Sequence, residues 1–228
     1  MTYSRCLPVI FASISCLGVT IAGVCPAYGE STSEIAAEQR ESRLSNAREL
    51  LGKYYHKSVV LSGEHIRRIN NQVYRLTNRS LPKAYKGQYK KIAQAIVDES
   101  LRYDFDPVFI ASVIINESSF NPKKIGSAGE IGLMQVRPQT AEWIAKRSDI
   151  RWRGAASLRN PVINIRLGTA YLSYLRERFD SHARLYLAAY NMGQTNVDGA
   201  LEHNVWPRDY PMRVMRYYIQ YYREISSE

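Results

Sequence analysis

Cysteine is almost missing from this sequence. The 228 residues hold three, Cys6, Cys16 and Cys25, all inside the first 25 positions. That excludes a small disulfide-stapled scaffold, and it excludes a Cys-based metal site beyond residue 25. Alternating apolar–polar runs of strand length are missing as well, so a sheet protein is not expected. Histidine is scarce: His56, His65, His182 and His203 are scattered without metal-ligand spacing. Acidic residues number 21 against 31 Lys and Arg, a formal net charge of +10. That excess is compatible with nucleic acid, anionic lipid or an acidic polymer as partner. No nucleic-acid-binding signature accompanies it. A hydrophobic share of 45% excludes a disordered chain, and a mean hydropathy of −0.34 excludes a multi-span membrane protein.

Charge is also missing from the start. Arg5 is the only charged residue before Glu30, and the stretch between them is largely apolar, loosened by Ser13, Ser15, Gly18, Thr20 and Gly23. A positive n-region, an apolar h-region and small residues at Ala27-Tyr28-Gly29 describe a secretory signal over residues 1–29, cleaved before Glu30. The competing expectation is an uncleaved anchor, because the uncharged stretch approaches spanning length. A lipoprotein site is disfavoured by Val24 before Cys25. Cleavage would remove Arg5 and every thiol, leaving an exported chain of net charge +9, in the periplasm or cell envelope.

What is present is the helical period. Residues 31–60 are polar, with Ile35, Leu44, Ala47, Leu50 and Leu51 too sparse for a core helix; residues 30–84 are expected to be an N-terminal extension, helical or partly disordered. A second helix is expected from Glu64 to Thr77, with Arg67, Arg68 and Arg75 on its solvated side. Leu81-Pro82 breaks it. Residues 85–228 carry stronger signals and are expected to form one all-α domain. Asp106-Pro107 is an N-cap and N1 pair opening PVFIASVIINES, apolar nearly all round and therefore buried, with Asn121-Pro122 as its stop. KKIGSAGEIG is a glycine-rich loop, and Pro138 and Asn160-Pro161 open further helices. Ser181 is placed to cap HARLYLAAYN, which stops at Gly193, and Pro211 opens a last helix with paired tyrosines read as packing. Trp143 is expected to pack its own helix.

One carboxylate is oddly placed. Glu117 follows Val113, Ile114 and Ile115 in the last turn of the most apolar helix. The negative end of the helix dipole and the apolar surroundings both disfavour its charge, which raises its pKa as a general acid requires. On position alone an exposed surface glutamate is the simpler reading. The segments that follow alter that balance: the glycine-rich loop leads into Gly132-Leu133-Met134-Gln135, and far downstream Ala188-Ala189-Tyr190-Asn191 ends a helix with a phenol and an amide.

Together these segments resemble the catalytic domain of the lytic transglycosylases of the soluble-transglycosylase (SLT) type, with its goose-lysozyme-like fold. Glu117-Ser118-Ser119-Phe120-Asn121-Pro122 is similar to the first motif of that family, and Gly129 with Gly132–Gln135 to the second. Asn160-Pro161, Asn164-Ile165, Gly168 and Tyr171-Leu172 resemble its middle helix, and Ala188–Asn191 with Gly193 its last motif. The resemblance covers roughly residues 90–200. It implies a lysozyme-like helical domain with a groove. Glu117 would be the single catalytic acid/base, with Tyr190 near its carboxyl and helping to hold it. Substrate contacts fall to Ser118, Ser127, Gly132, Leu133, Met134, Gln135, Tyr190 and Asn191. No metal or other cofactor is implied, and peptidoglycan glycan strands are the partner. Two positions depart from the pattern: Gly126 stands where many members have Ser, with Ser127 next to it, and Glu130 stands where Ala is usual. Three functions follow in order: a lytic transglycosylase leaving 1,6-anhydromuramyl ends, a hydrolytic goose-type lysozyme, or a non-enzymatic glycan-binding envelope protein of a secretion or pilus assembly. Residues 30–84 are the candidate contact with secretion, conjugation or pilus machinery, and the sequence does not specify an oligomeric state.

Overall fold

The structure, a computed structural model, describes residues 32–62 and 66–227. The expected leader at 1–29, with its three cysteines, lies outside the described residues, as do Glu64 and His65 at the expected start of the second helix. Among the described residues there are nine α-helices joined by turns and short 3-10 segments, and no strand beyond isolated antiparallel bridges of Ile131 with Ile125 and Val136. The all-α expectation holds.

The core is built around α4 (Pro107–Ser118). Every residue from Pro107 to Ile114 is buried, as an all-round apolar helix demands. Asp106 caps it, accepting from Val108 N at 2.9 Å, with Pro107 in the first turn. The helix stops before Asn121-Pro122, because Ser119 and Phe120 both turn left-handed, at φ 52° and 58°. Packed against α4 are α2 (Ile66–Ser80), α3 (Tyr89–Arg102) and α9 (Asp209–Ser226). Beyond them, α5 (Pro138–Arg147), α6 (Pro161–Arg178), α7 (Ala183–Met192) and α8 (Gln194–Glu202) complete the body.

Two helix starts differ from expectation. His182, not Ser181, precedes α7, and it makes no side-chain cap, because Asp180 and Ser181 form a left-handed turn at φ 46° and 59°. Asp209 begins α9 two residues before Pro211. Helix α8, which restarts directly after Gly193, has no counterpart in the sequence reading.

The larger correction concerns the extension. α1 (Thr32–Leu51) packs against α2 and α7, and Leu44, Ala47, Leu50 and Leu51 lie in the same core as α4. The described residues form one compact unit. The apolar stripe of α1 is as narrow as expected, but two polar side chains widen it. Arg43 is buried and donates to Val60 O at 2.9 Å and to the Tyr222 hydroxyl at 3.4 Å. Asn46 is fully buried, accepting from Asp106 N at 3.2 Å and donating to the Tyr186 hydroxyl at 3.5 Å. Polar groups enter a core when partners await them, and those partners are 60 and 140 residues away. Arg67, Arg68 and Arg75 are exposed, as expected.

Candidate active site

The carboxyl end of α4 opens into a cleft of about 480 Å³. Its walls come from α4, the loop at 119–137, the first turn of α5, the middle of α6, the end of α7 and the start of α9.

The loop is shaped by α6 and held from behind. Asn164, fully buried, accepts from Met134 N at 2.8 Å and donates to Ile131 O at 2.7 Å and Leu158 O at 3.1 Å. Gly132 is required where Asn164 crosses the loop: its φ is +85°, and a Cβ there would lie 2.4 Å from Asn164 Nδ2 and 2.7 Å from Leu158 O. Ser118 Oγ donates to Leu133 O at 2.7 Å, and the Tyr190 hydroxyl donates to Met134 O at 2.8 Å. Of the eight expected substrate contacts, four stand behind the cleft surface. Ser118, Gly132, Leu133 and Met134 are not among the cleft-lining residues; they are buried and fix the loop that forms the wall. Ser127, Gln135, Tyr190 and Asn191 do line the cleft, with Glu117. Gln135 is aimed by bonds from its Nε2 to Gly132 O at 2.9 Å and Lys124 O at 3.1 Å. None of Trp143, Trp152 and Trp206 lines it; Trp143 sits edge-on to Tyr174 at 4.6 Å and ties α5 to α6.

Glu117 is half-buried, and Tyr210 at the start of α9 donates its hydroxyl to Oε1 at 2.5 Å. Tyr190 lines the same cleft, but its own hydroxyl bond goes to the loop. Tyr190 stands near the carboxyl, and the direct bond to it comes from a residue that the sequence did not single out, Tyr210. Its only signal was a tyrosine beside Asp209 and Pro211, in a tail with loose family likeness. Burial pushes the Glu117 pKa up to about 7; the Tyr210 bond, Lys124 and Arg213 pull against this, and Glu130 adds to it. Lys124 also donates to the backbone oxygen of Glu117.

Such a shift is linked to stability. Folded Glu117 keeps its proton up to about pH 7, whereas the unfolded chain releases it near 4.5. Stability is therefore full below pH 4.5 and declines as pH rises through 7. Glu117→Gln removes that decline. The variant should be more stable than the wild type at pH 8, by on the order of 3 kcal/mol, with the difference fading toward pH 4.5. Urea unfolding at the two pH values checks this, and equal stabilities at pH 8 would place the Glu117 pKa near its ordinary value.

A carboxyl that stays protonated near neutrality, at the floor of a polar cleft lined by amides, hydroxyls and tyrosines, defines an acid/base catalyst for an extended polar substrate. The known proteins agree with that class. Residues 94–212 match the family described as the transglycosylase SLT domain, and the chain belongs to that family. It is 36% identical over 95 residues to the soluble lytic murein transglycosylase of Salmonella typhimurium, an alignment covering 41% of this chain and 15% of that protein. It is 36% identical over 134 residues to the membrane-bound lytic murein transglycosylase C of Histophilus somni, covering 50% and 36%. The chain thus spans well under half the length of these relatives. Its fold is similar to that of an inactive variant of the lytic transglycosylase Slt from Pseudomonas aeruginosa, with TM-score 0.54, 21% identity, and 88% and 45% of the two chains covered. It is likewise similar to a 70-kDa soluble lytic transglycosylase solved in complex with bulgecin A, with TM-score 0.53, 23% identity, and 88% and 32% covered.

Proposed function

We propose that this protein cleaves the β-1,4 bond between N-acetylmuramic acid and N-acetylglucosamine in peptidoglycan without water. The observation that carries the proposal is Glu117 itself, its pKa raised to about 7 in a polar cleft of about 480 Å³. Protonated Glu117 gives its proton to the glycosidic oxygen, and the C1–O bond breaks to release the N-acetylglucosamine side as an alcohol. The muramyl N-acetyl group steadies the positive charge left on C1. Glu117, now a carboxylate, takes the proton of the muramyl 6-hydroxyl as that oxygen closes on C1. One 1,6-anhydromuramyl end forms, and Glu117 returns to its starting state. Tyr210 keeps the carboxyl aimed throughout, and its bond is strongest to the ionised form.

Most glycoside hydrolases that use water have two carboxylates for the task. The second carboxylate of this cleft, Glu130, is tied to Arg137 Nε at 3.1 Å and to the backbone of Ala128 at 3.1 Å, which favours a fixed structural charge over a water-activating base. Digestion of purified peptidoglycan followed by mass spectrometry tests the proposal. Anhydro ends, lighter than reducing ends by one water, are expected. Reducing ends would make the protein a hydrolase. The sequence expectation of export to the periplasm or envelope fits a wall substrate, and the basic surface would favour the acidic polymer in a salt-screened way. The described residues of 30–84 turn their apolar sides inward, which leaves outer-face residues such as Tyr54 for any secretion, conjugation or pilus partner.

A further inference from the structure

Gly126 and Glu130, the two departures from the family pattern, occupy one place in the cleft. A Cβ on Gly126 would lie 2.3 Å from Glu130 Oε2, nearer than such atoms approach, and in tight contact with Glu130 Cβ at 3.2 Å. The φ of Gly126 is not positive, so backbone freedom does not account for this glycine. Space does: the Glu130 carboxylate fills the volume that a side chain at 126 would take. It is also anchored. Arg137 pairs with Oε1 at 3.1 Å, Ala128 N donates to Oε2 at 3.1 Å, and Gly126 N clasps Glu130 O at 2.8 Å. Burial alone would raise its pKa, but its backbone bonds and Arg137 outweigh that and leave it lowered, so the charge is permanent at working pH.

Glu117 faces Tyr210 from α9, Arg213 from α9, Lys124 and Glu130 from the loop, and Tyr190 from α7. Lys124 and Arg213 favour its carboxylate; Glu130 is the anion set against them. We propose that Glu130 is a positioning residue of the reaction: a fixed negative charge, seated over Gly126, that holds the proton on Glu117 against two cations until the glycosidic oxygen takes it. The proposal rests on Glu117 being the acid/base.

The test compares the full chain with Glu130→Gln, Glu130→Asp, Gly126→Ala and the double variant Gly126→Ala/Glu130→Ala, on one peptidoglycan substrate across pH. Glu130→Gln should move the alkaline limb of kcat/KM down by roughly half a unit, costing about twofold at pH 7 and about threefold at pH 8, with KM little changed. Glu130→Asp keeps the charge and should return the limb toward the wild type. Gly126→Ala should lower Tm and shift the limb in the wild-type background, and do neither once Glu130 is alanine. A limb that stays put in Glu130→Gln, or a Gly126→Ala cost that persists without the carboxylate, overturns the proposal. Titration of the Glu117 carboxyl by NMR, with no substrate, should show the same downward shift. That measurement stands even if the wild type releases no anhydro ends, an outcome that would overturn the functional reading instead.

Discussion

Glu117→Gln should reduce the release of anhydromuramyl ends from peptidoglycan by at least roughly 10²–10⁴-fold, the range supplied by a positioned acid or base. The expected loss lies at the top of that range, because one residue serves as acid in the first half of the reaction and as base in the second. Glutamine preserves the shape and can still accept the Tyr210 hydroxyl bond, so the cleft should bind glycan as before while kcat collapses. Muropeptide ends counted by mass spectrometry provide the readout. A variant that retains wild-type rates would remove Glu117 from the chemistry. The same substitution should stabilise the fold at alkaline pH, so the two measurements together separate a lost proton donor from a damaged protein. Opposite signs for stability and activity are characteristic of a group kept in an unfavourable place for its function.

The second large effect concerns a residue outside the cleft. Asp106→Ala should destabilise the protein by about 3–5 kcal/mol, a large part of what a domain of this size has to lose. Asp106 is fully buried and does several jobs at once. It caps α4 through Val108 N, and its Oδ2 accepts the hydroxyls of Tyr218 at 2.8 Å and Tyr222 at 2.5 Å. Tyr222 in turn accepts from Arg43 of α1 at 3.4 Å. Burial pushes the Asp106 pKa up, while Arg43, the two tyrosines and the Val108 amide act in the opposite direction. Alanine would leave two phenols without an acceptor and the Arg43 cation buried without its counter-charge. Arg43→Met combined with Asp106→Asn should cost less than the sum of the single changes, because neither charge is then stranded. Urea midpoints of the single and double variants measure this. A change below about 0.5 kcal/mol for Asp106→Ala would mean that the network carries no stability.

This network marks the limit of what could be read from the chain. Asp106 was legible as a helix cap, since a cap is a local bond between residues two apart. Its link to Arg43 and Tyr222 was not, for it closes over separations of 116 and 179 residues. Helical periodicity counts apolar positions, and α1 has too few to announce a core helix, although Arg43 and Asn46 enter the core with Leu44 and Ala47. The paired tyrosines of α9 pack as expected, yet Tyr218 and Tyr222 do so with their hydroxyls committed to a buried carboxylate. In the cleft the pattern repeats. Gly132–Gln135 stood out as a motif, but only Asn164 beneath it shows why the backbone must pass there without a side chain at 132.

The sequence by itself determined the helical class, the cap and apolar run of α4, the glycine-rich loop, and the placement of one glutamate where a helix dipole and apolar neighbours both resist its charge. These are local properties, carried by residues within a few turns of one another. Only the tertiary structure decided what meets that glutamate. Tyr210 reaches it from 93 residues away, Ser118 and Asn164 hold the loop wall from behind, and Gly126 makes room for Glu130. Pairings of that kind follow from how the helices pack, and no periodicity along the chain encodes them.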